Sequence, residues 1–266
     1  MGRFDEDTTL VADGAGRFEG RVSERWYVGR GANGGLIAAQ AVRAMELLAA
    51  DAERLPLSLT IHFLEAPTAG RIDIAGSVER AGRSTTAIQL RFEQEGRTVA
   101  LVLGALARWR PGSREHHGSV APAVPEPEAL APLGPALDNP PAFFENYDWR
   151  LAPGAAGEAR VSGWIRTRDP RPVDHLSLAA FADAFPPAVF VIAQPGAAAP
   201  TIDLTVHFRA PLQAVRATTD RDWVLGRFQS RRVAGGFFEE DGELWSPDGT
   251  LLVQSRQLGV LREPAA

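Results

Sequence analysis

The chain holds 266 residues, 45% of them hydrophobic and 23% charged, with a formal net charge of -5; it can bury one large core or two small ones, and its acidic balance argues against nucleic acid as the main partner. Cysteine is absent and all 28 cationic Lys-or-Arg positions are Arg, which excludes disulfides, a thiolate nucleophile and any Cys-ligated metal. No apolar run approaches the ~20 residues that span a bilayer, and Met1-Gly2-Arg3-Phe4-Asp5-Glu6-Asp7 is polar and acidic, unlike a signal peptide, so a cytoplasmic protein without a membrane partner is expected.

In chain order, Gly31-Ala32-Asn33-Gly34-Gly35 opens a helix from Gly35 to about Ala50, with Leu36, Ile37, Ala41, Ala44 and Leu48 in a 3.6-residue rhythm. Asn33 has the chemistry of a helix cap. Thr60-Ile61-His62-Phe63-Leu64-Glu65-Ala66-Pro67 reads as a strand, followed by strand-like runs at 70–81, 84–95 and 97–109. From Pro111 to Gly157 the chain is rich in Pro, Ala and Gly, including Pro122, Pro125, Pro127, Pro132, Pro135, Pro140 and Pro141. Such a stretch sustains neither a long helix nor a central strand, and it reads as a linker whose later part is pinned by Phe143, Phe144, Tyr147 and Trp149.

Beyond the linker the pattern returns. Asp174-His175 precedes a helical segment from Leu176 to about Phe185, stopped by Pro186-Pro187. Thr205-Val206-His207-Phe208-Arg209-Ala210-Pro211 then repeats the segment at Thr60, and strand-like runs follow at 213–230, 236–246 and 249–262. Turns at Glu95-Gly96 and Asp248-Gly249 fall at matching places. The chain therefore divides into residues 1–110, a linker at 111–157, and residues 158–266. Each half predicts one helix wrapped by an antiparallel meander, an α+β fold.

Superposing the repeats exposes their differences. Asp203 falls against Ser58, Gln257 against Gly104, and Ser230 against Arg80; only the first half has the glycines at its helix start. Alone, each residue is better explained by a half-exposed strand or a tight turn. Together they fall on three strand regions of the second half, which points to one site. His62 and His207 are equivalent in the repeat, which suggests structural roles, and His116-His117 lies in the linker; no metal-ligand spacing is present, nor a phosphate loop or nucleophile elbow. No metal or cofactor is expected.

Asn33-Gly34-Gly35-Leu36-Ile37-Ala38-Ala39-Gln40-Ala41, Ile202-Asp203-Leu204-Thr205-Val206-His207-Phe208, and the run from Asp241 through Asp248-Gly249 to Gln257-Leu258 resemble the type II acyl-CoA thioesterases and their double-hotdog relatives over nearly the whole chain. The resemblance implies a double hotdog acting in fatty acid metabolism, with acyl-CoA as substrate and room for a homo-oligomer. In that family an Asp, a Thr or Ser, and a Gln of the C-terminal hotdog orient the attacking water. They match Asp203, Ser230 and Gln257 here, with Gln229 taking the hydroxyl position under a one-residue shift. The N–H groups of Gly34 and Gly35, at a helix N-terminus, would be the oxyanion donors. Two further readings stand beside a thioester hydrolase: a non-catalytic acyl-CoA or acyl-lipid binder, and, ranked last, a hydratase using Asp174 and His175.

Overall fold

The computed structural model describes residues 2–14, 16–110, 112–133, 140–155, 157–219 and 222–264. The first long helix, α2 (Gly34–Ala49), follows a short α1 (Arg3–Asp7). Asn33 caps α2 by accepting from the Gly35 N–H at 3.0 Å, and Ala50 ends it in the left-handed conformation at φ 47°. Ten residues between Gly35 and Met45 are buried, because the helix is enclosed by sheet rather than laid on a surface. The equivalent α3 (His175–Phe181) is shorter. Asp174 and Ser177 cap it reciprocally, and the chain then tightens into i→i−3 turns, with Asp183 N–H bonded to Ala180 O and Ala184 N–H to Phe181 O. These turns end the helix before the residues expected from Pro186.

The strands are β1 (Val11–Ala12), β2 (Arg17–Val22), β3 (Tyr27–Val28), β4 (Gly31–Ala32), β5 (Arg54–Phe63), β6 (Gly70–Ala81), β7 (Thr85–Gln94), β8 (Arg97–Arg108), β9 (Tyr147–Leu151), β10 (Arg160–Thr167), β11 (Thr201–Phe208), β12 (Val224–Gln229), β13 (Val233–Ala234), β14 (Phe237–Trp245) and β15 (Leu251–Val260). Thirteen of them form one sheet in the order β1-β2-β6-β7-β8-β5-β11-β15-β14-β12-β10-β9, with β13 on β14. The repeats meet where β5 and β11 pair antiparallel, Thr60 opposite Thr205, their hydroxyls 3.0 Å apart. Both helices lie on the inner face and run antiparallel to each other. They approach closely because Gly35 has no side chain: a Cβ there would stand 2.6 Å from the Ala180 carbonyl oxygen.

Two expectations need correction. The segment 213–230 is not one strand: α4 (Leu212–Thr218) occupies its start, and Val215 and Thr219, four residues apart, are both buried there. Residues 220 and 221 lie outside the described residues. The stretch 111–157 is also more than a linker, since β9 pairs with β10 as the last strand of the sheet. Tyr147 packs edge-on against Trp26 of the first repeat and Phe181 of the second, with centroids 5.8 and 5.7 Å away. Phe143, Phe144 and Trp149 are buried beside it. The earlier part crosses the outer face of the sheet over Trp164, Trp223, Leu225 and Trp245, where Trp164 Nε1 donates to Pro125 O at 2.8 Å. Pro111 and Pro135 lie outside the described residues.

Candidate active site

Strand register shows what the inner face of the second repeat presents. Glu240 of β14 pairs with Gln257 of β15, which pairs with Leu204 of β11. Continuing the β12–β14 register past Gln229 opposite Asp241 brings Ser230 into the same row. Glu240, Gln257 and Ser230 are all buried, at 2%, 7% and 7% exposure. The Ser230 hydroxyl finds no hydrogen-bond partner among the described residues.

Asp203 is not in this row. It pairs with Leu258 and His62, both exposed, and so projects from the outer face, opposite to Gln257. His62 and His207 share that outer face and are exposed, which leaves them no core role. Between Thr201 and Asp203 the register slips by one residue. This bulge places Thr201 opposite Gly259, on the inner face, and Thr201 Oγ1 donates to Gln257 Oε1 at 2.9 Å. Simple alternation would place Thr201 on the face of Asp203.

A second carboxylate, Asp183 from the turn after α3, acts on this row through its charge on Glu240. Asn33 Nδ2 donates to its Oδ2 and to its backbone oxygen, each at 2.9 Å, and the Gly34 and Gly35 N–H groups also stabilise its charge. The Gly35 N–H is shared with Asn33 Oδ1, and both groups lie at the positive end of α2, where they favour the Asp183 carboxylate. A Cβ on Gly34 would lie 2.9 Å from Asp183 Oδ2. Asp183 and Thr201 are half-buried as residues.

Burial outweighs these favourable contacts and pushes the Asp183 carboxyl up to about 7. Glu240 is likewise pushed up to about 7, first by burial, then by the negative charges of Asp183 and Glu239. Its Oε1 accepts from Gln257 Nε2 at 2.6 Å and its Oε2 accepts from the Ala188 N–H. Hydrogen bonds thus join Asn33 to Asp183 and Glu240 to Gln257 and Thr201, and the charge of Asp183 on Glu240 links the two groups.

The first repeat has the same rows but none of this chemistry. Ile88, Gly104 and Leu59 form the row equivalent to Glu240, Gln257 and Leu204, and Pro56 stands at a bulge where the second repeat has Thr201. The Met45 thioether lies against Gly104 and fills the space. The same register sets Ser230 against Val78, through Phe228 against Gly76, rather than against Arg80. The Asp174 and His175 pair is committed elsewhere. Asp174 caps α3 and pairs with Arg171 at 2.8 Å; His175 is buried on Phe208 with its Nε2 3.3 Å from Ala210 O, and burial lowers its pKa. Neither is free for hydratase chemistry. Among the described residues no group of three or more His, Asp or Glu is arranged to hold a metal, and no helix is long and apolar enough to cross a membrane.

Asp183, Thr201 and Glu240 were missed in the sequence. Two signals were available. Asp183 is a lone charge in the apolar run from Leu176 to Phe185, and carrying the repeat two residues back from Asp203 sets Thr201 against Pro56. For Glu240, preceded by Glu239, nothing in the sequence tells inner from outer.

Two helices enclosed by two sheets fused edge to edge define a double hotdog. The chain belongs to the acyl-CoA thioesterase family: the family's C-terminal domain matches residues 122–261 and its N-terminal domain residues 22–108. The C-terminal match begins inside the Pro-rich stretch, in keeping with the place of β9 in the sheet. A protein of unknown function with a hot dog fold from Alicyclobacillus acidocaldarius is similar over 100% of both chains, at 31% identity and a TM-score of 0.90. A protein provisionally named a thioesterase II from Thermobifida fusca is 26% identical with a TM-score of 0.86, over 99% of this chain and 98% of that one. An uncharacterized protein of Mycobacterium tuberculosis is 26% identical, covering 92% of this chain and 90% of its own.

Proposed function

We propose that the protein hydrolyses acyl-CoA to the free acid and CoA, using a water held by Asp183, Thr201 and Gln257. The observation that carries this reading is the Asp183 carboxylate, near enough to Glu240 for its charge to raise the Glu240 pKa, with Glu240, Gln257 and Thr201 joined by hydrogen bonds. An Asp, a hydroxyl and a carboxamide of the second repeat are the residue types the family resemblance called for, in places other than Asp203 and Ser230. Asp183 takes a proton from water as the new C–O bond forms at the thioester carbon. The C–S bond then breaks, and the proton leaves with the CoA thiolate. Thr201 donates to Gln257 and keeps lone pairs for the water; Gln257 keeps its second Nε2 hydrogen. Positioning of this kind removes much of the entropic barrier, and a base with a pKa near neutrality suits the task.

Release of free thiol from short-, medium- and long-chain acyl-CoA, followed with a thiol reagent, tests the proposal. The enzyme has no cysteine and adds no background. No release at any length overturns it, and binding by calorimetry without turnover would favour the non-catalytic acyl-CoA binder.

A further inference from the structure

We propose that Glu240 fixes the orientation of the Gln257 side-chain amide, and so decides whether Gln257 and Thr201 offer the reacting water a donor or an acceptor. This rests on the water-based reading above and adds a positioning residue to it.

A carboxamide has one end that donates and one that accepts, and its partners decide which way it lies. An ionised carboxylate only accepts, so Gln257 must turn Nε2 toward Glu240, where it stands at 2.6 Å. Oε1 then faces Thr201 Oγ1 at 2.9 Å, and the hydroxyl must donate. Every bond in the row follows from one ionised carboxylate. A protonated Glu240 would reverse the order: its O–H would donate to Gln257 Oε1, Nε2 would turn to Thr201, and the Thr201 hydrogen would point at the water.

The fold does not require a carboxylate here. Ile88 holds the equivalent place in the first repeat, beside Gly104. The charged groups around Glu240 are Asp183, from the turn after α3, and Glu239, on its own strand; among the described residues no cation pairs with it. Ala188 N–H holds the far oxygen. A buried anion without a cation is costly to keep, and an apolar side chain would pack in its place.

The experiment compares Glu240→Leu, which imitates the first repeat, with Glu240→Gln, which keeps an acceptor oxygen but cannot titrate. Glu240→Leu should fold and lose kcat by about 10- to 100-fold with KM little changed, the size of loss common when an orienting partner is removed. Glu240→Gln should retain more activity and show one ionisation fewer in the pH dependence of kcat. A folded leucine variant with wild-type kcat and pH profile overturns the proposal. If that variant does not fold, an unaltered pH profile in Glu240→Gln does the same. An activity-independent reading comes from the side-chain amide NMR signals of Gln257, identified by their loss in Gln257→Ala. They should shift as pH crosses neutrality in the wild type and stay put in Glu240→Gln; signals that do not move in the wild type overturn the proposal. Asp183→Asn, assayed alongside, separates the two ideas: wild-type turnover there removes the water mechanism, whatever Glu240 does.

Discussion

Asn33 of the first repeat donates to the carboxylate and the backbone carbonyl of Asp183 in the second, at 2.9 Å each. The site is therefore built across the fusion: one repeat brings a helix N-terminus, the other a carboxylate and the groups facing it. Gly35 makes this possible by letting α3 come against α2.

Replacing Asp183 with Asn should lower kcat by about 10²- to 10⁴-fold, the range for loss of a general base, with the fold intact. Asp203→Asn should leave the rate unchanged, since Asp203 lies on the outer face. Steady-state kinetics on the two variants decide between the carboxylates, and a slow Asp203→Asn enzyme would restore Asp203 to the mechanism.

In the proposed mechanism Thr201 acts through its hydroxyl. Thr201→Ser keeps it and should stay within a few-fold of wild type, whereas Thr201→Val should lose roughly one hydrogen bond's worth of transition-state stabilisation, about 1–3 kcal/mol. Equal rates for the two variants would count against the hydroxyl.

Both raised carboxyls predict opposite trends of activity and stability with pH. Asp183 must be ionised to act, so kcat/KM should rise with pH to a plateau above about 7. For stability, a carboxyl whose folded pKa exceeds its unfolded value holds its proton more tightly when folded. That stabilisation is complete below the unfolded pKa of about 4, and it is lost as pH rises through about 7 for Asp183 and Glu240. Thermal unfolding of wild type across pH 4 to 8 should show the decline attributable to these groups, flattened in Asp183→Asn. An identical slope in that variant would contradict the assignment.

Gly35→Ala tests the helix contact. The added Cβ would stand 2.6 Å from a backbone oxygen that cannot rotate away, so destabilisation of about 1–3 kcal/mol is expected, together with lost activity as Asp183 moves from Asn33. Chemical denaturation measures the first and thiol release the second. Gly249→Ala, at a turn with φ 85° and no atom nearby, should cost stability through backbone strain but leave turnover intact.

The amino-acid sequence by itself determined the duplication, because the repeated Thr-x-His-Phe segments and the paired turns are local patterns that chain chemistry enforces. It also determined where helix α2 starts, through Asn33 and two glycines, and that Gln257 has no counterpart beside Gly104. The place of Gln257 was legible because both repeats carry a bulge at the same point after the turn, so counting from Gly249 and Gly96 keeps Gln257 against Gly104. Thr201 and Asp203 were not, because a single-residue bulge puts Thr201 on the face opposite to Asp203, and a bulge leaves no visible mark in the sequence. Asp183 and Glu240 were decided only by tertiary structure. A carboxylate becomes a base or an orienting group through burial and its neighbours, and those neighbours come from Asn33, Ala188 and Gln257, which only folding brings to Asp183 and Glu240.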